Sequence, residues 1–593
     1  MSDSASQDQN ANVDASFDFD LVIRGGKVVD GTGGPARFAD VGIRDDRVVA
    51  VGSELAAGRE EIDAAGLLVT PGWVDIHTHY DGQVTWDPHL TPSGWNGVTT
   101  VVMGNCGVGF APVRPGKEDY LIQLMEGVED IPGTALTEGI DWQWESFPEY
   151  LDALEKMPRS VDVAAQIPHG AVRTYVMGER GARNEKATPD DIASMARIVK
   201  EGLEAGGLGF TTSRTILHRA KDGEVVPGTY AEDEEIMGIG RMLGEVGHGV
   251  LEVASDLAPE GDELQWMRKL GEETGRPITF ACLQNPTDAD QWKRLLAVVD
   301  EDVAAGGNLR PQVAQRPAGL IFGFDSSLHP FRMKPSFHRF VDMPSEERLR
   351  GLADPEVRAA IISEESVIGN MADVTNLIVN GWNMMYPLGD PPNYEPGPDE
   401  TIEARAAAAG VAPAELVYDM MLAGEVLYMP FLGYANGNLE AIREMMTHER
   451  AVFGLSDGGA HCALVCDASM PTYLLTYWAR DRVKGERFPL EWIVERQTKH
   501  TAEFYGMHDR GVIAPGMKAD LNVIDFEALH IHGPRMVWDL PAEGNRLIQD
   551  IDGYRYTVQS GLITYRDGKP TGAMPGKLIR GPQAGPEAAS ASA

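Results

Sequence analysis

Two histidines stand two positions apart in "VDIHTHYD", residues 74–81, at the end of an apolar run. Alternate residues of a strand point to the same side, so His77 and His79 can present both imidazoles to one ion. Taken alone, the pair reads equally well as two polar residues where a strand leaves the core, and the remaining ligands must come from elsewhere. Other apolar runs end in residues of a fitting kind: Cys106 after "VTTVVMGN", His169 after "VDVAAQIP", Ser213 and Arg214 in "LGFTTSR", and Asp457 in "VFGLSDGG". Two imidazoles, a thiolate and a carboxylate are the ligand types that hold Zn²⁺. Each has a plainer reading: a buried cysteine is commonly a small core residue, and Asp before Gly-Gly is good turn chemistry. Together, in this order and at these strand ends, they predict a metal centre.

Strand ends converge only in certain architectures. Between residues 71 and 510, strand-sized apolar runs alternate with amphipathic stretches such as "FPEYLDALEKM" and "DIASMARIVKEGLEAG", a pattern of parallel βαβ units. With "GVLEVASD", "ITFACLQ" and "RPQVAQRP" the count reaches about eight strands, as a (β/α)₈ TIM-like barrel requires, and such barrels keep their chemistry at the C-terminal strand ends. An open doubly wound sheet is the alternative. Residues 17–70 and 511–575 have another texture, short strands broken by Gly, Asp and Pro turns, and are expected to form one small β-sandwich from both chain ends. The stretch near 320–400, with "GWNMMYPLGDPPNYEPGPDE", reads as an irregular insertion over the active face. Residues 1–16 read as a disordered leader and 576–593 as a flexible tail.

Composition narrows the partners. With 51 basic against 90 acidic residues and a formal charge of −39, the average surface repels phosphate backbones and anionic lipid, which argues against nucleic acid and membrane. No apolar run approaches the roughly 20 residues of a membrane span, and the N-terminus lacks the parts of a signal peptide; a cytoplasmic protein is expected. Self-association into a homo-oligomer is left open. The four cysteines, Cys106, Cys282, Cys462 and Cys466, are too few and too irregular for a disulfide framework.

The phrases "TPGWVDIHTHYD", "GVTTVVMGNCGVGFAPVRP", "GLSDGGAH" and "HDRGVIAPGMKADLNVIDF" resemble the amidohydrolase superfamily, and within it the D-aminoacylase or N-acyl-D-amino-acid deacylase group. The resemblance implies a metal-dependent amide hydrolase acting on a small-molecule N-acyl amino acid. It implies one or two zinc ions, or other divalent metals, held by His77, His79, Cys106 and Asp457, with Asp457 also moving the catalytic proton. Many relatives bridge two metals with a carbamylated lysine on the fourth strand; here that strand has none, and Cys106 occupies the place of the bridging cysteine of the deacylase group. The histidines that the group carries on the fifth and sixth strands are absent too. Glu252 and Cys282 lie roughly where they would be, so a second metal site of altered ligands and a plain core reading both stand. Gln284 replaces the lysine expected to bind the substrate carboxylate. His169, Ser213, Arg214, His218 and Tyr230 are further substrate-binding candidates, Arg316 is a substitute cation, and His329 lies in the insertion. His169 reads equally as a satisfied structural residue, and either arginine as a partner in an ion pair. A cyclic-amide hydrolase of the hydantoinase or dihydropyrimidinase type and a non-catalytic assembly protein of the same fold are the rival readings. A serine-nucleophile hydrolase is set aside, on the expectation that the chain holds no Gly-x-Ser-x-Gly elbow.

Overall fold

The computed structural model describes residues 17–257, 260–367 and 377–586; the expected leader at 1–16 and the last residues of the expected tail lie outside them. Trp73–Asp75, Val98–Met103 and Asp162–Ala165 pair in parallel. Ile167–Pro168, Gly209–Arg214, Val250–Ser255, Ile278–Ala281, Leu309–Val313 and Val452–Phe453 form a second parallel run in that order. Only Gln166 separates Asp162–Ala165 from Ile167–Pro168, so the two runs share one interrupted strand. At the far side, Thr78 bridges Gly458 in parallel and the His79 amide donates to the Gly458 carbonyl at 2.8 Å, joining the continuations of the first and last strands. Val98–Met103 is buried at every position, as expected of a parallel strand covered on both faces.

The covering helices follow from local sequence. Pro189–Glu204 begins at Thr188, whose hydroxyl accepts from the Asp191 amide while the Asp191 side chain returns to the Thr188 amide, with Pro189 in the first turn. It then buries Met195, Ile198, Val199 and Leu203, one stripe at helical spacing. Among the described residues no helix is long and apolar enough to cross a membrane.

Both chain ends build one nine-stranded sheet. Phe19–Val28, Arg37–Arg44 and Arg47–Gly52 form the expected antiparallel meander. Leu521–Ile524 lies between Leu68–Pro71 and Tyr554–Gln559. Ile23, Val41, Val69, Val523 and Val558 pack together as its core.

Two expectations need correction. The insertion is not irregular: Ala318–Phe322, Leu427–Leu432 and Tyr386–Pro387 pair antiparallel, and Ser345–Leu352, Pro355–Ser363, Ile402–Ala409 and Pro413–Leu422 are helical. Its many aromatics have a purpose, since Phe324, Phe331, Phe337 and Tyr418 fill a separate apolar core. The tail is held in its first part. The Val163 amide donates to the Lys577 carbonyl and the Ile579 amide to the Val163 carbonyl. Lys577 also donates its amide to Asp162, and Arg580 pairs with Asp152 and Glu155 at 2.7 Å each. A low-complexity composition hid backbone pairing that needs no particular side chain.

Candidate metal centre

His77 and His79 leave the first strand on the same side, with ring centroids 5.4 Å apart. One ring is hydrogen-bonded from behind, and the other has a carboxylate behind it. His77 Nδ1 lies 2.5 Å from Gln312 Oε1, and His79 Nδ1 lies 3.4 Å from Glu129 Oε1. That leaves the two Nε2 atoms facing forward, 3.3 and 3.7 Å from one oxygen, Asp457 Oδ1. Cys106 Sγ is 3.5 Å from His77 Nε2. One ligand atom each from His77, His79 and Cys106 lies within 4.8 Å of the others.

The loops that deliver Cys106 and Asp457 are backbone devices. Cys106 sits at φ 56° and Asp457 at φ 48°, a left-handed conformation costing a non-glycine residue about 1–3 kcal/mol, which persists where surroundings over-determine it. In "GNCG" those surroundings are visible. Asn105 Nδ2 donates to the carbonyls of Thr78 and Val102 at 3.0 Å each, and Gln166 Nε2 donates to Asn105 Oδ1 at 2.9 Å. A Cβ at Gly107 would lie 2.7 Å from the Ser213 amide nitrogen, so glycine lets the loop touch the fourth strand. In the other loop, a Cβ at Gly459 would lie 2.8 Å from the Tyr80 ring.

Electrostatics favour a cation here. Burial pushes His77 down to about 4. Burial opposes the charging of His79 as well, but Glu129 and Asp457 outweigh it and raise this imidazole to about 9. Burial alone would raise Asp457, yet the surrounding imidazoles hold it far below the usual carboxylate range. Burial, then the carboxylates of Glu252, Glu129 and Asp457, lift the Cys106 thiol well above its ordinary value. Glu129 is the telling residue: it is 1% exposed, and neither carboxylate oxygen accepts a hydrogen bond. A buried carboxylate without donors is costly unless a positive charge compensates it. Two convergent imidazoles, a sulfur whose ionisation needs a cation, and this excess of buried acid fit a divalent ion.

Residues 60–565 match the amidohydrolase family. The chain is a member of that family. As an amidohydrolase it is 27% identical over 574 residues to an N-acyl-D-glutamate deacylase of Alcaligenes xylosoxydans xylosoxydans, covering 95% of this chain and 96% of the relative. It is 32% identical over 268 residues to a D-aminoacylase of the same organism, covering 44% of this chain and 50% of that one. Among solved structures, a D-aminoacylase studied for its binuclear metal centre matches with a TM-score of 0.63 at 23% identity, covering 95% of this chain and all of that one. The N-acyl-D-glutamate deacylase of Bordetella bronchiseptica, complexed with zinc and a phosphonate inhibitor, matches with a TM-score of 0.61 at 23% identity, covering 95% and 99%. At such identities the structural likeness establishes a shared fold, a mixed α/β amidohydrolase architecture.

The remaining candidate residues divide sharply. Glu252 adjoins the centre: its Oε2 accepts from the Cys106 amide at 2.9 Å, and burial pushes it up to about 8. His218 is held by Ser213, with Nδ1 3.0 Å from the hydroxyl, and is lowered to about 3 by burial and by the imidazoles of His461 and His79. Cys282 is elsewhere in character. Its sulfur lies 3.8 Å from Met445 Sδ, and burial alone raises it to about 12, with no charged group acting on it. His169, opening the helix His169–Met177, is fully satisfied by Thr212 Oγ1 at 2.9 Å and Glu235 Oε1 at 3.1 Å. Arg214 is locked to Glu263 at 2.9 Å, and Arg316 to Asp467 at 2.8 Å under the Tyr394 ring. The Gln284 amide is spent on the backbone of Ala289 and Ala435. Tyr230 is 63% exposed, and His329 lies within the aromatic core of the insertion.

Sequence reasoning missed Glu129, His461 and Gln312. Glu129 ends the helix Glu118–Glu129, away from any strand. His461 lies four residues beyond Asp457, its Nε2 3.5 Å from Glu129 Oε2; the signal was in "SDGGAH" itself. The expectation that the chain lacks a nucleophile elbow is corrected by residues 454–458, which read Gly-Leu-Ser-Asp-Gly and have that spacing. Ser456 is nonetheless no nucleophile: its buried hydroxyl donates to Asp75 Oδ2 at 2.5 Å and lies 3.1 Å from the His77 carbonyl, with no imidazole nitrogen bonded to it.

Proposed function

We propose that this amidohydrolase removes the acyl group from N-acyl amino acids in a metal-dependent hydrolysis, with His77, His79, Cys106 and Asp457 holding the ion. The observation that carries the reading is the convergence of two Nε2 atoms, one sulfur and one carboxylate oxygen at a buried strand-end site. Relatives named for the deacylation of D-amino-acid derivatives support the substrate class. Zinc is the ion best matched to nitrogen, sulfur and carboxylate together. When bound, it supplies Lewis-acid polarisation of the scissile carbonyl and acidifies water at the site.

The chain's own residues divide the remaining work. Asp457, held ionised by its neighbours, takes the proton of the attacking water and passes it to the leaving nitrogen. Gln312 holds His77 by its rear nitrogen and so fixes which nitrogen faces the site, while the Glu129 carboxylate stands behind His79 Nδ1 at ion-pair distance. Glu252 fixes the Cys106 loop through its amide. With Cys282 packed against Met445, we favour a single ion. The architecture we propose is a (β/α)₈ barrel over 71–510, closed through Thr78 and Gly458 and interrupted by the insertion, with 17–70 and 511–575 as a small sandwich.

The test is hydrolysis of paired D- and L-N-acyl amino acids, with hydantoin and dihydropyrimidine as cyclic controls, before and after chelation. Acyl release that is lost with the metal and restored by Zn²⁺ is expected. Full activity in metal-free protein would end the metal reading, and ring opening without deacylation would move the enzyme to the cyclic-amide class.

A further inference from the structure

The chain carries a second His-x-His, "HIH" at residues 530–532, which no part of the hydrolytic site uses. The short strand His530–Ile531 pairs antiparallel with Ile551–Asp552. Residues 530 and 532 therefore share a face, and their rings stand 4.5 Å apart at 77°. Asp390, contributed by the insertion, reaches this face. Its Oδ1 is 3.6 Å from His530 Nε2, and its Oδ2 is 3.9 Å from His532 Nδ1. One ligand atom from each of the three residues lies within 4.8 Å of the others. We propose that His530, His532 and Asp390 form a second metal site, for a borderline divalent ion such as Zn²⁺ or Cu²⁺.

Three features favour metal binding over a pair of surface ion pairs. First, His532 Nε2 is already bonded to Asp552 Oδ2 at 2.9 Å. A proton on Nε2 shared with a carboxylate leaves the Nδ1 lone pair facing Asp390, the orientation that outer carboxylates impose on metal-ligating histidines. Second, Asp390 is aimed, because the Gly533 amide donates to its Oδ1 at 3.2 Å. Third, the spacing is within reach. Ligands about 2.0–2.2 Å from a tetrahedral zinc stand about 3.3–3.6 Å apart; Asp390 Oδ1 lies 3.6 Å from His530 Nε2, and the three ligand atoms, all within 4.8 Å of one another, reach that spacing if the side chains close by up to about 1.5 Å. The side chains are 58%, 38% and 37% exposed for Asp390, His530 and His532, which gives them that freedom and leaves the outer coordination positions to water. Two imidazoles and a carboxylate select zinc, copper or nickel over calcium or magnesium. An ion held there ties the insertion to the C-terminal strands.

The experiment uses untagged full-length protein equilibrated with Zn²⁺ alone and then freed of excess. Wild type is expected to hold one more zinc per chain than His530→Ala/His532→Ala, and Asp390→Asn to weaken that extra equivalent at least tenfold. With Cu²⁺ added to protein whose buried centre is already filled with Zn²⁺, the wild-type electron paramagnetic resonance spectrum should carry coupling to imidazole nitrogen that the double variant lacks. Zinc should also raise the thermal midpoint of wild type more than that of the double variant. Equal zinc content and equal thermal shifts in wild type and the double variant would overturn the proposal.

Discussion

The molecule contains the same tripeptide pattern twice, in opposite settings. His77 and His79 are buried at a strand end, with a thiol and a carboxylate before them and an amide and a second carboxylate behind. His530 and His532 lie on a short surface strand with aspartates alone for company. Strand geometry gives each pair the same ability to meet one ion. What differs is the cost of having none: in the interior, Glu129 is buried without a hydrogen-bond donor and faces only the imidazoles of His79 and His461, whereas at the surface water solvates the carboxylates cheaply. Spacing marks a candidate ligand pair, and burial with excess charge marks one the fold cannot do without.

Several substitutions test that contrast, the most severe first. Asp457→Asn should lower kcat by about 10²–10⁴-fold with little change in KM, since proton transfer is lost while the substrate still binds; steady-state kinetics on an N-acyl amino acid would show it, and near-normal turnover would remove Asp457 from the mechanism. Glu129→Gln should weaken metal affinity by about 10–100-fold through the freed His79 ring, read by competition with a chromogenic chelator. Cys106→Ala should lose most of the bound metal on dialysis. Cys282→Ala should keep the wild-type metal content and cost about 1–2 kcal/mol of stability in urea melts. A wild-type content at the buried centre near two ions that falls on removing Cys282 or Glu252 would replace the single-ion reading. At the exposed pair, His530→Ala should change kcat/KM by less than about twofold, as surface substitutions remote from the chemistry do; a loss beyond tenfold would mean that the two pairs are coupled.

How much of this was legible depended on whether a residue's surroundings are local in sequence. Strands 98–103, 209–214 and 250–255 announce themselves as apolar runs, and the polar residue ending each run could be named in advance. His77, His79, Cys106 and Asp457, which the structure brings together, were named in this way. The same rule over-reached for Arg214, Gln284 and His169, because the partners that satisfy them, Glu263, Ala435 and Glu235, come from loops and helices whose arrival no strand pattern foretells. Glu129 was missed for the converse reason: nothing in a helix-terminal glutamate says that the helix delivers it under His79. The aromatics of the insertion were visible, but that they close a core of their own follows only from strands 318–322 and 427–432 meeting across about a hundred residues.

The nine-stranded sheet has a consequence for how the protein is made. Leu68–Pro71, buried at all four positions, hydrogen-bonds on one side to Leu521–Ile524, a strand that leaves the ribosome about 450 residues later. At typical elongation rates that interval is roughly 20–90 s. Through all of it the N-terminal meander presents an unpaired, apolar edge, the kind that recruits strands from other chains. Nascent chains that end before residue 521 should therefore need a chaperone to stay in solution, and premature termination ahead of that strand should yield aggregates rather than a folded but inactive enzyme.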